Sequence, residues 1–368
     1  MSGIIGGSRF FSTTYNQARQ RFRAAASTLG AHQEAVEIGV EGPDGAPLTI
    51  DLAWLGPRDA QKIVVVSSGT HGIEGYMGSA AQLAVLDQHV PRAEDVALVL
   101  LHAINPYGFA FRRRVNEENI DLNRNFLLPG ELYEGGAEAY GPFDPLLNPP
   151  KAPKPWSAGV FLAQAGVEIA RHGLGSLKSV VAGGQYDFPQ GVFFGGSRPS
   201  NTMRALQTKI PEWFGHAQHL LMIDFHTGLG DFATYKILID HTSDDPRTEW
   251  LTHIFGPDVQ PWDAGNGVAY AIRGGLGTWM KASLPRCEVD VLATEFGTVN
   301  VLKVITALHL ENRAHLHGKP LSRSTERAKD RLMRTFNPLS PGWRDVVVDK
   351  GRHVVIQALR AIETDLGD

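Results

Sequence analysis

His71 and Glu74 stand three residues apart in the stretch "SSGTHGIEGYMG", Ser67–Gly78. The stretch follows the apolar run Ile63–Val66, so both side chains fall where a buried strand gives way to a glycine-containing turn. A nitrogen ligand and an oxygen ligand on one such turn can aim at a single cation, and catalytic zinc takes three protein ligands while keeping a position open. His226, ending the apolar run in "HLLMIDFHTG", offers the third ligand. Asp224, two residues earlier on the same strand face, is placed to orient that imidazole. Glu295, at the end of "VDVLATEFG", supplies a carboxylate that can take a proton from an attacking water and return it to a leaving amine.

Taken singly, each of these residues has a plainer explanation. His-x-x-Glu spacings arise by chance, a histidine beside a buried strand is usually a satisfied polar group, and a lone glutamate can be salt-bridged or cap a helix. The segment "RRRVNEENIDLNRNF", Arg112–Phe126, changes the balance. Its consecutive arginines and its Asn123-Arg124-Asn125 can form an anion clamp, because an arginine fork pairs bidentately with a carboxylate. A second arginine near a metal stabilises the oxyanion formed when water attacks a carbonyl.

"HGIE", "RVNEENIDLNRNF", "DFHTG" and "TEFG", in that order between about residues 63 and 297, resemble the zinc carboxypeptidase superfamily. The whole is most similar to a bacterial metallopeptidase-like branch near the succinylglutamate desuccinylase and aspartoacylase group. The resemblance implies one Zn2+ per chain held by His71, Glu74 and His226, with Arg114 as the electrophilic arginine and Arg113 as its fallback. It makes Asn123 and Arg124 the holders of a substrate carboxylate and Glu295 the general base and acid. It further implies a zinc-dependent hydrolase cleaving an amide bond next to a carboxylate-bearing residue. That substrate is either a peptide with a free C-terminus, as for a metallocarboxypeptidase, or a small N-acyl amino acid. Tyr270, in "GNGVAYAIRGG", is a candidate counterpart of the tyrosine that covers substrate in the classical members.

The elements that must position these groups read as an α/β fold with a mixed, mainly parallel sheet flanked by helices. A helix is expected over about Tyr15–Leu29, then a hairpin around Pro43-Asp44-Gly45, then the Ile63–Val66 strand, a helix over Tyr76–His89 and the strand in "VALVLLHAINP". That strand–helix–strand succession is the pattern of a parallel βαβ unit. Helices are expected at about Ser157–His172, Thr202–Phe214, Pro246–Ile254 and Leu276–Leu284, and "YKILIDH" reads as the strand neighbouring "HLLMIDFHTG". Four strands end in polar or glycine-containing clusters: Gly69–Gly75, Asn105, Asp224–Gly228 and Glu295–Gly297. Strand carboxyl ends form the binding crevice of open α/β sheets, so these clusters are expected to converge. Residues 1–368 are read as one domain, with a Pro/Gly-rich insertion at about 127–156 and helices from about 301 that leave room for a homo-oligomer contact.

Bulk properties exclude several classes. A net charge of -4 leaves no basic footprint for nucleic acid. The single cysteine, Cys287, excludes intrachain disulfides and cysteine-rich zinc modules, and at the edge of an apolar strand it reads as buried and inert. The first 25 residues lack a charged start followed by the apolar core of a signal peptide, and no apolar stretch matches a membrane span, so a cytoplasmic protein with no membrane partner is expected. A serine hydrolase would need a Gly-x-Ser-x-Gly elbow, which neither Ser79 nor Ser197 provides. A dinucleotide enzyme would need Gly-x-Gly-x-x-Gly after the first parallel strand, and a non-catalytic binding module would have lost one of the candidate groups; neither holds. His102 and His241 are the other histidines to place relative to the site.

Overall fold

The computed structural model describes residues 6–88, 93–136, 140–261 and 272–364, with all their side chains except those of His172 and residues 174–182. Tyr270 therefore lies outside the described residues. The chain opens with α1 (Tyr15–Thr28), then the hairpin β1 (His32–Glu41) and β2 (Pro47–Leu55). Next come β3 (Lys62–Ser68), α2 (Gly75–Leu86), β4 (Val96–His102) and the short α3 (Pro106–Phe111). Helices α4 (Tyr140–Leu147), α5 (Ser157–Gly183) and α6 (Asn201–Phe214) precede β5 (His219–Gly228) and β6 (Tyr235–Ile239). Then follow α7 (Pro246–Phe255), β7 (Val259–Pro261), α8 (Leu276–Ser283) and β8 (Glu288–Gly297). The last elements are α9 (Val301–His317), α10 (Arg323–Phe336) and α11 (Pro341–Thr364).

The strands form one eight-stranded sheet in the order β1-β2-β4-β3-β5-β8-β6-β7. Its centre, β4, β3, β5 and β8, is parallel, while β1, β2 and β6 run antiparallel to their inner neighbours. This is the mixed α/β sheet flanked by helices that the apolar runs imply.

Side-chain alternation explains why those runs are unbroken. In β3, Ile63 and Val65 join a core on one face with Ala97, Val99, Met222 and Val291. Val64 and Val66 join a second core on the other face with Leu98, Leu100, Ile223 and Leu292. A strand covered on both faces has no solvent side to mark with polar residues. Residues of α6, α8 and α9 cover the first face, and residues of α2 and α11 the second.

Two sequence expectations need correcting. β6 does not pair with β5; β8 inserts between them, in register with β5 over Leu220↔Val289 to Gly228↔Gly297. The apolar strands look alike locally, and only the order in which they pack decides adjacency. The helix expected to end at about His172 instead continues as α5 through a non-helical Gly173, and the Pro/Gly-rich insertion at about 127–156 contains the short helix α4. The three-residue β7 is too short to show a period and was not expected. Among the described residues no helix is long and apolar enough to cross a membrane.

Candidate active site

The clusters at the ends of β3, β5 and β8 meet on the sheet face covered by α6, α8 and α9. Period-two alternation carries Leu220, Met222, Asp224 and His226 along that face of β5, and Val289, Val291, Ala293 and Glu295 along that face of β8. Register sets His226 directly opposite Glu295 and Ser67 opposite Asp224.

After β3 the chain turns at Gly69, whose φ of +66° favours glycine, and passes through a single 3-10 turn, Gly72–Glu74, into α2. Gly72 lies against α3, where an added Cβ would meet the Gly108 carbonyl carbon at 2.1 Å. The turn can therefore press onto α3 only without a side chain at that position, and this brings His71 and Glu74 inward.

His71, Glu74 and His226 are all buried, and each offers one ligand atom within 4.8 Å of the others. His71 Nδ1 lies 2.9 Å from Glu74 Oε1, and His226 Nδ1 lies 3.1 Å from Glu74 Oε2. The Thr227 N–H donates to Glu74 Oε2 at 3.1 Å. His226 Nε2 sits 2.7 Å from Asp224 Oδ2, and Asp224 also accepts from Ser67 Oγ at 2.6 Å and Thr70 Oγ1 at 3.0 Å. Nε2–H donation to Asp224 leaves Nδ1 as the free ligand nitrogen, the usual second partner of a metal-binding histidine.

His71 Nε2 has two neighbours, Asp121 Oδ1 at 3.1 Å and Arg114 Nη2 at 2.7 Å. They demand opposite proton placements, since Asp121 accepts from a protonated nitrogen and Arg114 donates to a bare one. Arg114 also donates from Nε to Asp121 at 3.0 Å and from Nη1 to Glu74 at 3.3 Å.

The charges of the cluster depend on one another. Burial would raise the Glu74 pKa, but the two imidazoles hold it below the usual carboxylate range. Burial would lower that of His226, but Asp224 and Glu74 hold it well above the usual imidazole value. Burial would likewise raise Asp121, which Arg114 and His71 instead hold well below normal. Glu295 behaves differently: burial, reinforced by the charge of Glu74, pushes its carboxyl up to about 7, while the Leu229 N–H donates to its Oε1 at 2.9 Å.

The residue types and the local field suit a dication. Two imidazole nitrogens and a carboxylate oxygen form a zinc-type donor set. Glu74, Asp121 and Asp224 place three buried carboxyl groups around the ligand atoms, with the half-buried Glu295 beside them, so positive charge between the ligand atoms is favourable.

All seven residues singled out in the sequence as site groups line one cleft of about 820 Å³, open to solvent: His71, Glu74, Arg114, Asn123, Arg124, His226 and Glu295. Asn123 Oδ1 accepts the Leu276 N–H at the start of α8. Arg124 packs under Gly184, where a Cβ would meet its Cδ at 2.7 Å, and its carbonyl accepts from Tyr186 Oη at 2.7 Å.

The fallback Arg113 is not in the cleft. It is 1% exposed and donates to Glu311 Oε1 at 3.0 Å and to Asn119 and Asn312. His102 stacks on Phe22 in the core, and His241 lies in an ion-pair cluster with Asp245 and Asp290. Cys287 is half-buried rather than buried, and burial raises its thiol pKa to about 12, so it is no nucleophile. Sequence reasoning missed Asp121 as a partner of both His71 and Arg114. Its position two residues before Asn123, inside a segment already singled out, was the available signal.

The family model described as "Protein of unknown function (DUF2817)" matches residues 11–350. No curated protein matches the chain. Among solved structures it is similar to carboxypeptidase A from Helicoverpa armigera, at 12% identity over 87% of this chain and 73% of that one, with a TM-score of 0.45. It is also similar to murein-tripeptide amidase MpaA from Escherichia coli O157, at 17% identity over 82% of this chain and 97% of that one, with a TM-score of 0.38.

Proposed function

The chain belongs to the DUF2817 family, and we propose that it is a zinc-dependent hydrolase that cleaves an amide bond next to a carboxylate-bearing residue, in the manner of a metallocarboxypeptidase. The observation that carries this is the convergence of three buried ligand atoms within 4.8 Å in a cleft that Glu295 and two arginines also line.

His71, Glu74 and His226 would hold the ion through two imidazole nitrogens and a carboxylate oxygen. A Zn2+ ion bound there would supply a Lewis acid that polarises a carbonyl and lowers the pKa of a water. Asp224 and Asp121 fix the two imidazoles by accepting from their Nε2–H groups, which leaves both Nδ1 atoms for the metal.

Glu295, with a pKa near 7 in the absence of a cation, takes the proton of the attacking water and delivers it to the leaving nitrogen. Water oxygen bonds to the acyl carbon, the carbon–nitrogen bond breaks, and the products are a carboxylate and an amine. Arg114 turns its guanidinium from His71 toward the oxygen that gains charge in the tetrahedral state. Asn123 and Arg124 grip the substrate carboxylate.

Metal analysis of the purified protein tests the first element, with about one zinc per chain expected from a three-ligand site and loss of that zinc in His71→Ala. Glu295→Gln is expected to keep the metal and lose hydrolysis by about 10²–10⁴-fold. A fully active metal-free protein would overturn the proposal.

A further inference from the structure

The cleft has two apolar flanks with the proposed scissile position between them. β8 shows the order. Val291 and Ala293 lie on the clamp side, in a solvent-open recess shared with Leu238 and Ile272 and with the polar groups of Asn123, Asp224, His226 and Asp240. Glu295 follows, and beyond the strand Val301, Val304 and Leu308 of α9 wall the opposite flank with Leu229 and Phe336. A substrate held at its carboxylate by Asn123 and Arg124 thus lays its side chain toward Leu238 and Ala293. Its acyl part, across Glu295, points at α9 and α10.

The acyl flank has a second property. Four backbone groups at its lip are already engaged: the Thr227 N–H donates to Glu74 at 3.1 Å and the Leu229 N–H to Glu295 at 2.9 Å. The Gly228 carbonyl accepts from Thr298 Oγ1 at 2.9 Å, and the Phe336 carbonyl accepts from Thr227 Oγ1 at 2.8 Å. A peptide chain entering here would bring amide groups that need partners, and leaving them unpaired is costly. A hydrocarbon chain brings none.

On the clamp side the charged groups are paired. Asp224 is held by His226, Ser67 and Thr70, and Asp240 by Lys281 Nζ at 2.7 Å. Among the described residues, neither flank presents a charge free to meet a charged substituent.

We propose that the substrate is an amino acid with a nonpolar side chain, N-acylated by a nonpolar acyl group that lies against Leu229, Val301, Val304, Leu308 and Phe336. This presupposes the amide hydrolysis proposed for the same site and narrows its substrate class. Hydrolysis then yields a free nonpolar carboxylic acid and a free nonpolar amino acid.

Calorimetric binding to the zinc-loaded Glu295→Gln protein separates the two claims, because it needs no turnover. N-hexanoyl-leucine adds four methylenes to N-acetyl-leucine, each worth up to about fourfold if fully buried. At least about a tenfold tighter Kd is expected for the hexanoyl compound. N-hexanoyl-aspartate and N-hexanoyl-lysine are expected to bind at least about tenfold more weakly than N-hexanoyl-leucine. Val301→Ser, at a half-buried position at the start of α9, should lower the hexanoyl-to-acetyl affinity ratio by about fourfold or more.

Equal affinity for the acetyl and hexanoyl compounds, tighter binding of glycyl-glycyl-leucine, or no binding of any of them overturns the acyl pocket. Selective binding without hydrolysis by the wild-type protein would leave the pocket standing and remove the hydrolase. Hydrolysis of peptides without a hexanoyl preference would do the reverse.

Discussion

Asp224 touches no substrate in the proposed geometry, yet its removal should weaken the metal site by a calculable amount. One carboxylate accepts from His226 Nε2 at 2.7 Å, from Ser67 Oγ at 2.6 Å and from Thr70 Oγ1 at 3.0 and 3.1 Å. In Asp224→Asn the shape is kept. A hydroxyl can donate or accept, so the new amide turns its NH2 toward Ser67 and Thr70 and its oxygen toward His226. The number of hydrogen bonds is unchanged and only the charge is lost. A charge-assisted bond is about twice as strong as a neutral one, so the imidazole loses on the order of 1–1.5 kcal/mol of orientation, or about tenfold in zinc affinity.

Asp224→Ala is harsher. Nε2–H and both hydroxyls then face a gap, so zinc affinity should fall by about 100-fold and the metal-free protein should lose about 1–3 kcal/mol of stability. Competition for Zn2+ against a chromophoric chelator reads the affinities, and denaturant unfolding of the metal-free proteins reads the stabilities. Equal zinc affinity in the wild type and both variants would refute the reasoning, as would an Asn variant weaker than the Ala variant.

Arg124→Ala should lower kcat/KM for carboxylate substrates by about 10–100-fold, the worth of a hydrogen bond to a charged group, and leave carboxamide analogues nearly unaffected; equal losses on both would remove the clamp. His102 is buried against Phe22, which pushes its pKa down to about 4, so between about pH 6.5 and 4 the unfolded chain binds the extra proton first. Stability should therefore decline by about 3 kcal/mol as pH falls through that window and His102 should contribute no further loss below it; in His102→Gln this part of the slope should vanish in urea unfolding measured across pH. Arg113→Met should cost about 2–3 kcal/mol rather than the larger penalty of an orphaned buried charge, because Lys329 Nζ stays 3.4 Å from Glu311; denaturant unfolding checks it, and a loss under about 0.5 kcal/mol would show that the buried network contributes nothing.

What the sequence determined was local chemistry and local shape. His71 and Glu74 share one turn, Asp224 and His226 alternate on one strand face, and Asp121, Asn123 and Arg124 follow Arg114 within a single segment, so their relative placement is set by 3-10 and strand geometry over a few residues. The unbroken apolar runs likewise specified a sheet covered on both faces.

Adjacency between distant segments was decided only by packing. Nothing in "YKILIDH" says that β8 will come between it and β5 or that it will run antiparallel to β8, because short apolar strands look alike in pattern and differ only in which helices and registers they meet. The same holds for the three arginines. Their sequence is uniform, but α3 ends at Arg112 in a left-handed conformation, and the chain then sends Arg112 to Glu326, Arg113 into the core against Glu311 and Arg114 alone into the cleft. The two apolar flanks on either side of Glu295 were also invisible in one dimension, because one is built from β6 and β8 and the other from α9 and α10. Those elements meet only because burying their apolar faces stabilises the fold and brings them to the same end of the sheet.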